Sequence, residues 1–246
     1  MSVPELTILA TLGGRTHNRT EVLAWENTRI DAAAKKLRVS PPPADPVAAR
    51  REAWLQTKRA LGDDELFRRL GRDMRIADRI AGATSALSGR RRHCVTELLV
   101  PGGSAEQFVT WFEEITFSNN REQMERACPD HFVLRISNGR QEVLETNGGS
   151  PFAAKFSIDY ADLSSLTTPA DPTFTHRLDG VALARNGQPI GGVRHQFRDT
   201  PEGVHARLMV EFPLPTPGAI VRGHRWHLAC EFSNWFEAAI AADRDA

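Results

Sequence analysis

Residues 176–212 read HRLDGVALARNGQPIGGVRHQFRDTPEGVHARLMVEF, and this stretch decides the fold. Asn186-Gly187 is a strong signal for a tight turn between two antiparallel strands, so the segments on either side of it predict a hairpin. From Gly203 onward, apolar and polar residues alternate for much of the length, as they do in a half-buried strand. Consecutive strands joined by short turns pair antiparallel. The stretch therefore predicts part of an antiparallel sheet.

The segments around this stretch extend the pattern over residues 93–246. Residues 93–103 predict a strand, residues 104–115 a helix capped by Ser104, and residues 120–128 a second short helix. About six extended segments follow, and a single helix from about residue 222 to about residue 242 ends the chain. A curved sheet of this length needs its concave face covered, and the last helix is the available cover. The predicted fold class is α+β.

This element order resembles the helix-grip fold of START and birch-pollen-allergen-like domains. The resemblance implies a curved antiparallel sheet wrapped around the C-terminal helix, with a cavity between them. Cavities of that kind hold small apolar or aromatic molecules. The glycines of GGVRH, residues 191–195, suit a bend in one strand of such a sheet. We therefore expect residues 93–246 to form one helix-grip domain with a ligand cavity.

Residues 1–92 predict a helical extension of that domain. A first helix follows the cap candidate Thr20 and ends at SPPPADP, residues 40–46, because successive prolines lock φ and remove hydrogen-bond donors. A second helical stretch opens with Asp45 as its cap candidate, and Gly62 punctuates it. Nothing in this part resembles a catalytic pattern, so we expect it to serve packing or homodimerisation.

The charge of the chain is balanced overall but unevenly distributed. Residues 1–93 carry 18 Lys+Arg and 11 Asp+Glu, a net charge of +7, and the remainder carries −7. The basic residues are spread along helices and interleaved with acids, and GRRRH, residues 89–93, is the one dense basic run. This distribution favours a basic face that docks on an acidic domain, and it argues against nucleic acid as a partner.

The composition indicates a protein of the cytoplasm. No run approaches the roughly 20 apolar residues of a membrane-spanning helix, and the N-terminal residues lack the pattern of a secretory signal. The three cysteines, Cys94, Cys128 and Cys230, form no CxxC pair and cannot all pair with each other. Reduced thiols are the simplest interpretation. We expect no membrane partner.

Candidate chemistry is concentrated in residues 224–236, HRWHLACEFSNWF. His227 and Glu231 are four residues apart, so they share one face of the last helix, and His224 lies one turn earlier. Imidazole nitrogen and carboxylate oxygen both suit zinc and other divalent ions. The pair supplies two ligands from one rigid element, and a complete site needs one or two more from elsewhere. The alternative is a core helix in which an ion pair from Glu231 to Arg194 or His195 satisfies the carboxylate without metal.

The second half of such a site is best sought in residues 128–151. His131 opens a strand, and Glu142 and Glu145 lie three residues apart on the next one, so they face opposite sides of the sheet. Alternation alone leaves open which of the two glutamates faces the cavity. Glu145 lies beside the turn TNGGSP, where backbone can approach closely.

From about residue 93 onward the chain resembles the 2,4-diacetylphloroglucinol hydrolase and phloretin hydrolase family. The matching motifs are FVTWFEE (108–114), CPDHFVL (128–134), EVLETNGG (142–149) and HLACEFSNW (227–235). Members of that family are zinc-dependent hydrolases of carbon–carbon bonds with a helix-grip domain. The resemblance implies that the metal ligands here are His131, Glu145, His227 and Glu231. The family holds phenolic oxygens with tyrosines, and Tyr160 is the single tyrosine of this chain and the one candidate for that role.

Residues outside the four ligands complete the expected site. His195 and Arg194 in GGVRHQFRD are candidates to donate a hydrogen bond to a substrate oxygen or to orient a ligand, and His176 is a further candidate. The leading hypothesis is a metal-dependent hydrolase of an acylated phenol or β-diketone. The rival hypotheses are a metal-free binding protein or cyclase for an aromatic or polyketide molecule, and a regulatory protein whose basic helices bind a partner.

Overall fold

The computed structural model describes residues 6–43, 46–87 and 89–244 as five helices and nine strands. In chain order these elements are β1 (Leu9–Leu12), β2 (Arg15–Asn18), α1 (Arg19–Leu37), α2 (Val47–Leu87), β3 (Arg91–Pro101), α3 (Ala105–Phe117), α4 (Arg121–Arg126), β4 (His131–Ser137), β5 (Arg140–Glu145), β6 (Ala154–Asp159), β7 (His176–Leu183), β8 (Pro189–Thr200), β9 (Gly203–Pro213) and α5 (Gly218–Arg244).

All nine strands form one antiparallel sheet in the order β2-β1-β3-β9-β8-β7-β6-β5-β4. The six strands from β4 to β9 follow one another both in sequence and in the sheet, and each pairs antiparallel with the next. Strand β3, which precedes the two short helices, pairs with β9 along its whole length. The prediction of an α+β fold with a large antiparallel sheet and a C-terminal helix is confirmed.

Two asparagine–glycine pairs turn the chain in different ways. Asn186 and Gly187 do lie in the β7–β8 hairpin, but the two-residue turn predicted for them is wrong: residues 184–188 form the loop, Gly187 has a φ of 82°, and Asn186 is outside the left-handed region. The two-residue turn is at Asn138-Gly139 between β4 and β5, where both φ values are positive, at 52° and 74°. That turn sets the register from Ser137–Arg140 to Val133–Leu144, and a register shift between Val133 and His131 then places His131 opposite Glu145.

Helix α5 lies in the centre of the molecule and is surrounded on all sides. Residues 227–236 are all buried, whereas a helix at a protein surface buries a single stripe. On one side, Thr96 of β3 donates a hydrogen bond to the carbonyl of Arg225, and on another the ring of Phe236 stacks on Phe108 of α3 with centroids 3.8 Å apart. Polar groups on its central turns therefore need partners inside the protein.

The expectation that residues 1–92 are only helical is wrong for residues 9–18, which form β1 and β2 at the edge of the same sheet beside β3. Each of these strands has four residues, and neither LATL of β1 nor RTHN of β2 alternates apolar with polar residue types. Helix α1 begins after Asn18 rather than Thr20, because Asn18 and Glu21 form a capping box. Asp45 lies outside the described residues.

Helices α1 and α2 share a hydrophobic core with the far edge of the sheet. Ile30 of α1 and Trp54 of α2 are buried in one cluster with Phe132 of β4 and Leu144 of β5. Gly62, with φ 74° and ψ 163°, interrupts α2 as the sequence predicted. The helical part is therefore packed against the strands that carry His131 and Glu145. Among the described residues, no helix combines the length and the apolar character needed to cross a bilayer.

Candidate metal centre

The fold brings all four residues that the resemblance implied as ligands to one point. His131 is the first residue of β4, Glu145 is the last residue of β5, and the two are direct partners in the sheet. His227 and Glu231 lie one turn apart on α5. All four side chains are buried, with at most 7% of any residue exposed to solvent. The sheet edge and the central helix each contribute one histidine and one glutamate.

Short distances join the donor atoms of the two histidines to each other and to those of the two glutamates. Nε2 of His131 lies 3.1 Å from Nε2 of His227, 3.0 Å from Oε2 of Glu231 and 3.7 Å from Oε2 of Glu145. Nε2 of His227 lies 3.6 Å from Oε2 of Glu145 and 3.5 Å from Oε2 of Glu231. Donors about 2.1 Å from a tetrahedral zinc ion are about 3.4 Å from one another. The spacing therefore fits a small divalent ion.

Hydrogen bonds behind the two imidazoles aim their Nε2 atoms at the cluster. Nδ1 of His131 donates to the carbonyl oxygen of Met124 at 3.0 Å, an assignment that follows because a carbonyl can only accept. In the neutral ring this leaves the Nε2 lone pair free. Nδ1 of His227 lies 3.9 Å from the carboxylate of Asp130 and 3.6 Å from Sγ of Cys128. At 3.9 Å, Asp130 is an ion-pair partner of a protonated His227, and Cys128 is the hydrogen-bond partner of its Nδ1.

Neither glutamate of the cluster pairs with a lysine or an arginine among the described residues. Among the described residues, the ion pairs of Glu145 and Glu231 are with His131 and His227 alone. The alternative in which Arg194 neutralises Glu231 is wrong, since Arg194 is bound to Asp179 at 2.6 Å. A divalent cation would balance the two carboxylates, so the donor set fits such an ion in charge as well as in spacing.

Burial and the charges of neighbouring groups shift the pKa values of three of the four donors. Burial raises the pKa of Glu145 above its usual value. Burial would also raise the pKa of Glu231, but His227 and His131 outweigh it and hold that pKa well below its usual value. For His227, burial opposes the charged form, yet Glu231 and Glu145 outweigh it and raise the pKa to about 9. At pH 7 and without a bound ion, the ring of His227 therefore carries a proton on both nitrogens and is positively charged.

Zinc binding at pH 7 is accordingly expected to release about one proton per ion, because the metal displaces the proton of His227. The apparent affinity should fall about tenfold for each pH unit below 9 and level off above it. Titration calorimetry in buffers with different ionisation enthalpies measures the proton release directly. A binding enthalpy that does not depend on the buffer at pH 7 would contradict the predicted protonation of His227.

The structure resolves which glutamate of β5 faces the cluster. Glu142 points to the other side of the sheet, where Arg135 and Lys155 bind its carboxylate at 2.8 Å and 2.7 Å. Glu145, three residues later, faces α5. The alternation of side chains along a strand predicted that the two residues face opposite sides of the sheet. The local sequence could not predict which of those sides lies against α2 and receives Glu142.

A glycine-to-glycine contact holds the strand and the helix together. Gly148, in the turn after Glu145, lies so close to Gly223 of α5 that a Cβ on either residue would overlap the carbonyl oxygen of the other. Gly148 also has a left-handed φ of 59°. The contact is one turn from His227 and three residues from Glu145. The close backbone approach expected at TNGGSP therefore exists, and its partner is the helix that carries the other two donors.

Two further side chains lie beside the four donors. Cys128 is grouped with His131 and His227, and His224 with Glu145 and His227, with ligand atoms within 4.8 Å of one another in each group. Cys128 meets the Nδ1 edge of His227, whereas the other donors meet Nε2. The ring of His224 stacks on that of His227 at 5.0 Å, and its buried Nδ1 has no hydrogen-bond partner. Sequence spacing pointed to His224, but nothing in the sequence pointed to Cys128.

The four donors open onto a cavity of about 370 Å³ between the sheet and α5. Its walls are mostly apolar and include Phe156, Phe232 and Trp235. His195 and Tyr160, both predicted as site residues, also line it. One part of the lining was missed by sequence reasoning: four residues of α2, Ala77, Ile80, Ala81 and Thr84. The amphipathic pattern of α2 predicted only packing.

The remaining predicted site residues are placed differently. His195 is buried with its ring 4.8 Å from that of Phe232, and burial lowers its pKa to about 4. The hydroxyl of Tyr160 donates to Gln141 at 2.8 Å. Arg194 points away from the 370 Å³ cavity and lines a separate one of about 310 Å³ with Asp179, so the structure does not bring it to the donors. His176, half-buried at the start of β7, is also outside the lining.

In comparisons with known proteins, no family model matches the chain, and no curated protein matches it. The resemblance described above therefore depends on the residues and motifs that carry it.

Proposed function

We propose that the chain is a metal-dependent hydrolase that cleaves the carbon–carbon bond between an acyl group and an activated ring or enol carbon. One observation carries the proposal: His131, Glu145, His227 and Glu231 place four donor atoms 3.0–3.7 Å apart in the described pairs, at the wall of an apolar cavity. Zinc is the metal that this donor set and spacing suit best.

The arrangement of the elements supports a helix-grip domain over residues 93–246. A strand, two short helices, six consecutive antiparallel strands and a long central helix follow one another, and the first strand pairs with the last. This is the order and closure expected from the resemblance. Strands β1 and β2 extend the sheet beyond β3 and do not change the order of the other strands. The cavity between sheet and helix is where such a domain holds a small molecule.

The chemistry follows from what each group supplies. A divalent ion bound by the four donors supplies Lewis-acid chemistry, which polarises a carbonyl oxygen and lowers the pKa of water. In the overall reaction, water adds its oxygen to the acyl carbon to form a carboxylic acid, and its hydrogen goes to the ring or enol carbon that leaves. A phenol or enol carbon is a competent leaving group because its carbanion is stabilised by the adjacent oxygen.

The chain's own residues bind and orient the substrate. Apolar walls around Phe156, Phe232 and Trp235 receive an aromatic ring and exclude water. His195 is neutral at pH 7 because burial holds its pKa near 4, so its N–H can donate to a phenolic or carbonyl oxygen. Tyr160 donates to Gln141, which leaves the amide N–H groups of Gln141 free to face the cavity.

Zinc-loaded protein is expected to convert an acylated phenol or a β-diketone into a carboxylic acid and the deacylated product. Reaction in ¹⁸O-labelled water should place one labelled oxygen in the acid, as mass spectrometry can measure. Tight binding of these compounds without turnover, by protein that holds no metal, would instead support the metal-free binding protein. The paucity of tyrosine favours that rival, and two buried carboxylates whose described ion pairs are with histidines alone oppose it.

His195→Gln is expected to lower kcat by about 100-fold while leaving the zinc content unchanged, because the substitution removes the imidazole but no metal donor. His205→Gln is the matched control, since His205 lies on β9, outside the lining of the cavity. Steady-state kinetics and elemental analysis measure the two effects. Equal activities of the two variants would remove His195 from the proposed site.

A further inference from the structure

The segment that carries His131 is held by side chains from distant parts of the chain. We call residues 124–131, from the end of α4 to the start of β4, the α4–β4 corner. The last carbonyls of a helix have no partner within the helix and must find one elsewhere. Here the carbonyl of Met124 accepts from His131, and that of Ala127 accepts from Asn234 of α5 at 2.8 Å. The corner is therefore built around the metal ligand itself.

Lys58 of α2 binds three other carbonyls of the α4–β4 corner. Its ammonium donates to the carbonyl oxygens of His131 at 2.6 Å, Glu125 at 2.8 Å and Cys128 at 3.5 Å. An ammonium has three N–H donors, so all of them are used. Lys58 is 1% exposed, and lysine is rarely buried so fully without a specific partner. One of those three carbonyls belongs to the ligand residue His131.

Helix α1 reaches the other histidine through Asp130. Arg29 binds the fully buried carboxylate of Asp130 with two hydrogen bonds, at 2.9 Å and 2.5 Å, and Thr146 donates to the same carboxylate. Asp130 in turn lies 3.9 Å from Nδ1 of His227. Trp54 of α2 adds a hydrogen bond to the carbonyl of Pro129 at 3.0 Å. Both helices of the N-terminal part thus touch the residues directly behind the two histidines.

We propose that the N-terminal helices are part of the metal centre, with Lys58 and Arg29 as positioning residues that hold His131 and His227 in the geometry for binding the ion. The inference depends on the metal site proposed above. It assigns to residues 1–92 a role that packing or dimerisation does not include. A general packing role needs only apolar contact, and α1 and α2 already have that with β4 and β5.

The choice of a buried ammonium over an apolar side chain supports a positioning role. Lys58 is almost fully buried, so its ammonium gives up contact with water, which is costly for a charged group. An apolar side chain of the same length would avoid that cost but would take away the donor that Lys58 gives to the carbonyls of Glu125 and His131, whereas the carbonyl of Cys128 would keep the backbone N–H of His131. The hydrogen bonds of a cation have both direction and strength, so they fix the backbone of the α4–β4 corner where dispersion contacts would not.

The test uses Co²⁺ as the probe, since its visible absorption reports the geometry of its donors, with the 246-residue chain, three variants and one control variant. Lys58→Met and Arg29→Met are each expected to weaken Co²⁺ binding by 10–100-fold, the usual effect of losing a support behind a ligand, and to change the absorption spectrum. Lys58→Arg should restore part of the affinity, because it keeps a cationic donor at the same position.

Arg50→Met is the matched control. Arg50 is also a buried cation of α2 that binds backbone carbonyls, those of Pro42 and Asn27, but it does not touch the α4–β4 corner. Arg50→Met should lower the melting temperature, leave the Co²⁺ affinity unchanged within about twofold, and leave the absorption spectrum unchanged.

If Lys58→Met and Arg29→Met match Arg50→Met in affinity and spectrum, the helices only pack and the inference is wrong. If Lys58→Met does not fold, Arg29→Met decides by the same criterion. Wild-type protein that binds neither Co²⁺ nor Zn²⁺ would overturn the proposed metal site instead.

Discussion

His227→Ala is expected to abolish stoichiometric zinc binding. Four protein donors together contribute about 10–16 kcal/mol to zinc affinity in small structural sites, so the loss of one should cost about 3 kcal/mol, or more than 100-fold in Kd. Competition with a coloured chelator measures the change in Kd.

The chain offers matched controls for this prediction. His176→Ala removes a half-buried histidine outside the cavity and should leave the zinc affinity unchanged. On β5, Glu145→Gln should weaken binding while Glu142→Gln, three residues away and bound to Arg135 and Lys155, should not. Equal losses for Glu142→Gln and Glu145→Gln would mean that general destabilisation, and not ligation, underlies the effect.

Gly223→Ala is expected to disturb the site without altering any donor. Its Cβ would overlap the carbonyl oxygen of Gly148, and because both groups are backbone, the turn after β5 must move away from α5. Overpacking of this kind costs about 1–3 kcal/mol of folding free energy, and sometimes more. The shift also moves Glu145 relative to His227, so zinc affinity should fall together with stability.

Gly82→Ala is the control for the glycine prediction. Gly82 lies in α2 with open space around its Cα, so alanine there should stabilise the helix by up to about 1 kcal/mol and leave zinc binding unchanged. Urea unfolding and zinc titration of both variants test the pair. Wild-type stability and wild-type zinc affinity in Gly223→Ala would contradict the account of this contact.

Local patterns were sufficient for most of the fold. The alternation in residues 203–213, the cap at Ser104 and the long final helix each depend on neighbours in sequence, and the structure has each of them. The strands β1 and β2 were missed because four residues with no apolar alternation carry no local signal. Their pairing is set by contact with β3, about 80–90 residues away in the chain.

The candidate site was predictable to a lesser degree. Spacing on one helix identified His227 and Glu231, but the choice between Glu142 and Glu145 needed the other face of the sheet to be known. The groups behind the ligands had no sequence signal at all. Arg29 reaches Asp130 across 101 residues and Lys58 reaches His131 across 73, and such contacts exist only once the chain is folded.

The central claim is that His131, Glu145, His227 and Glu231 together hold one divalent ion. Elemental analysis of protein purified without an affinity tag and dialysed after zinc addition tests it most directly. The account predicts about one equivalent of zinc per chain for the wild type, and less than about a tenth for His227→Ala. A wild-type protein that retains less than about a tenth of an equivalent of any transition metal after zinc addition would contradict the claim.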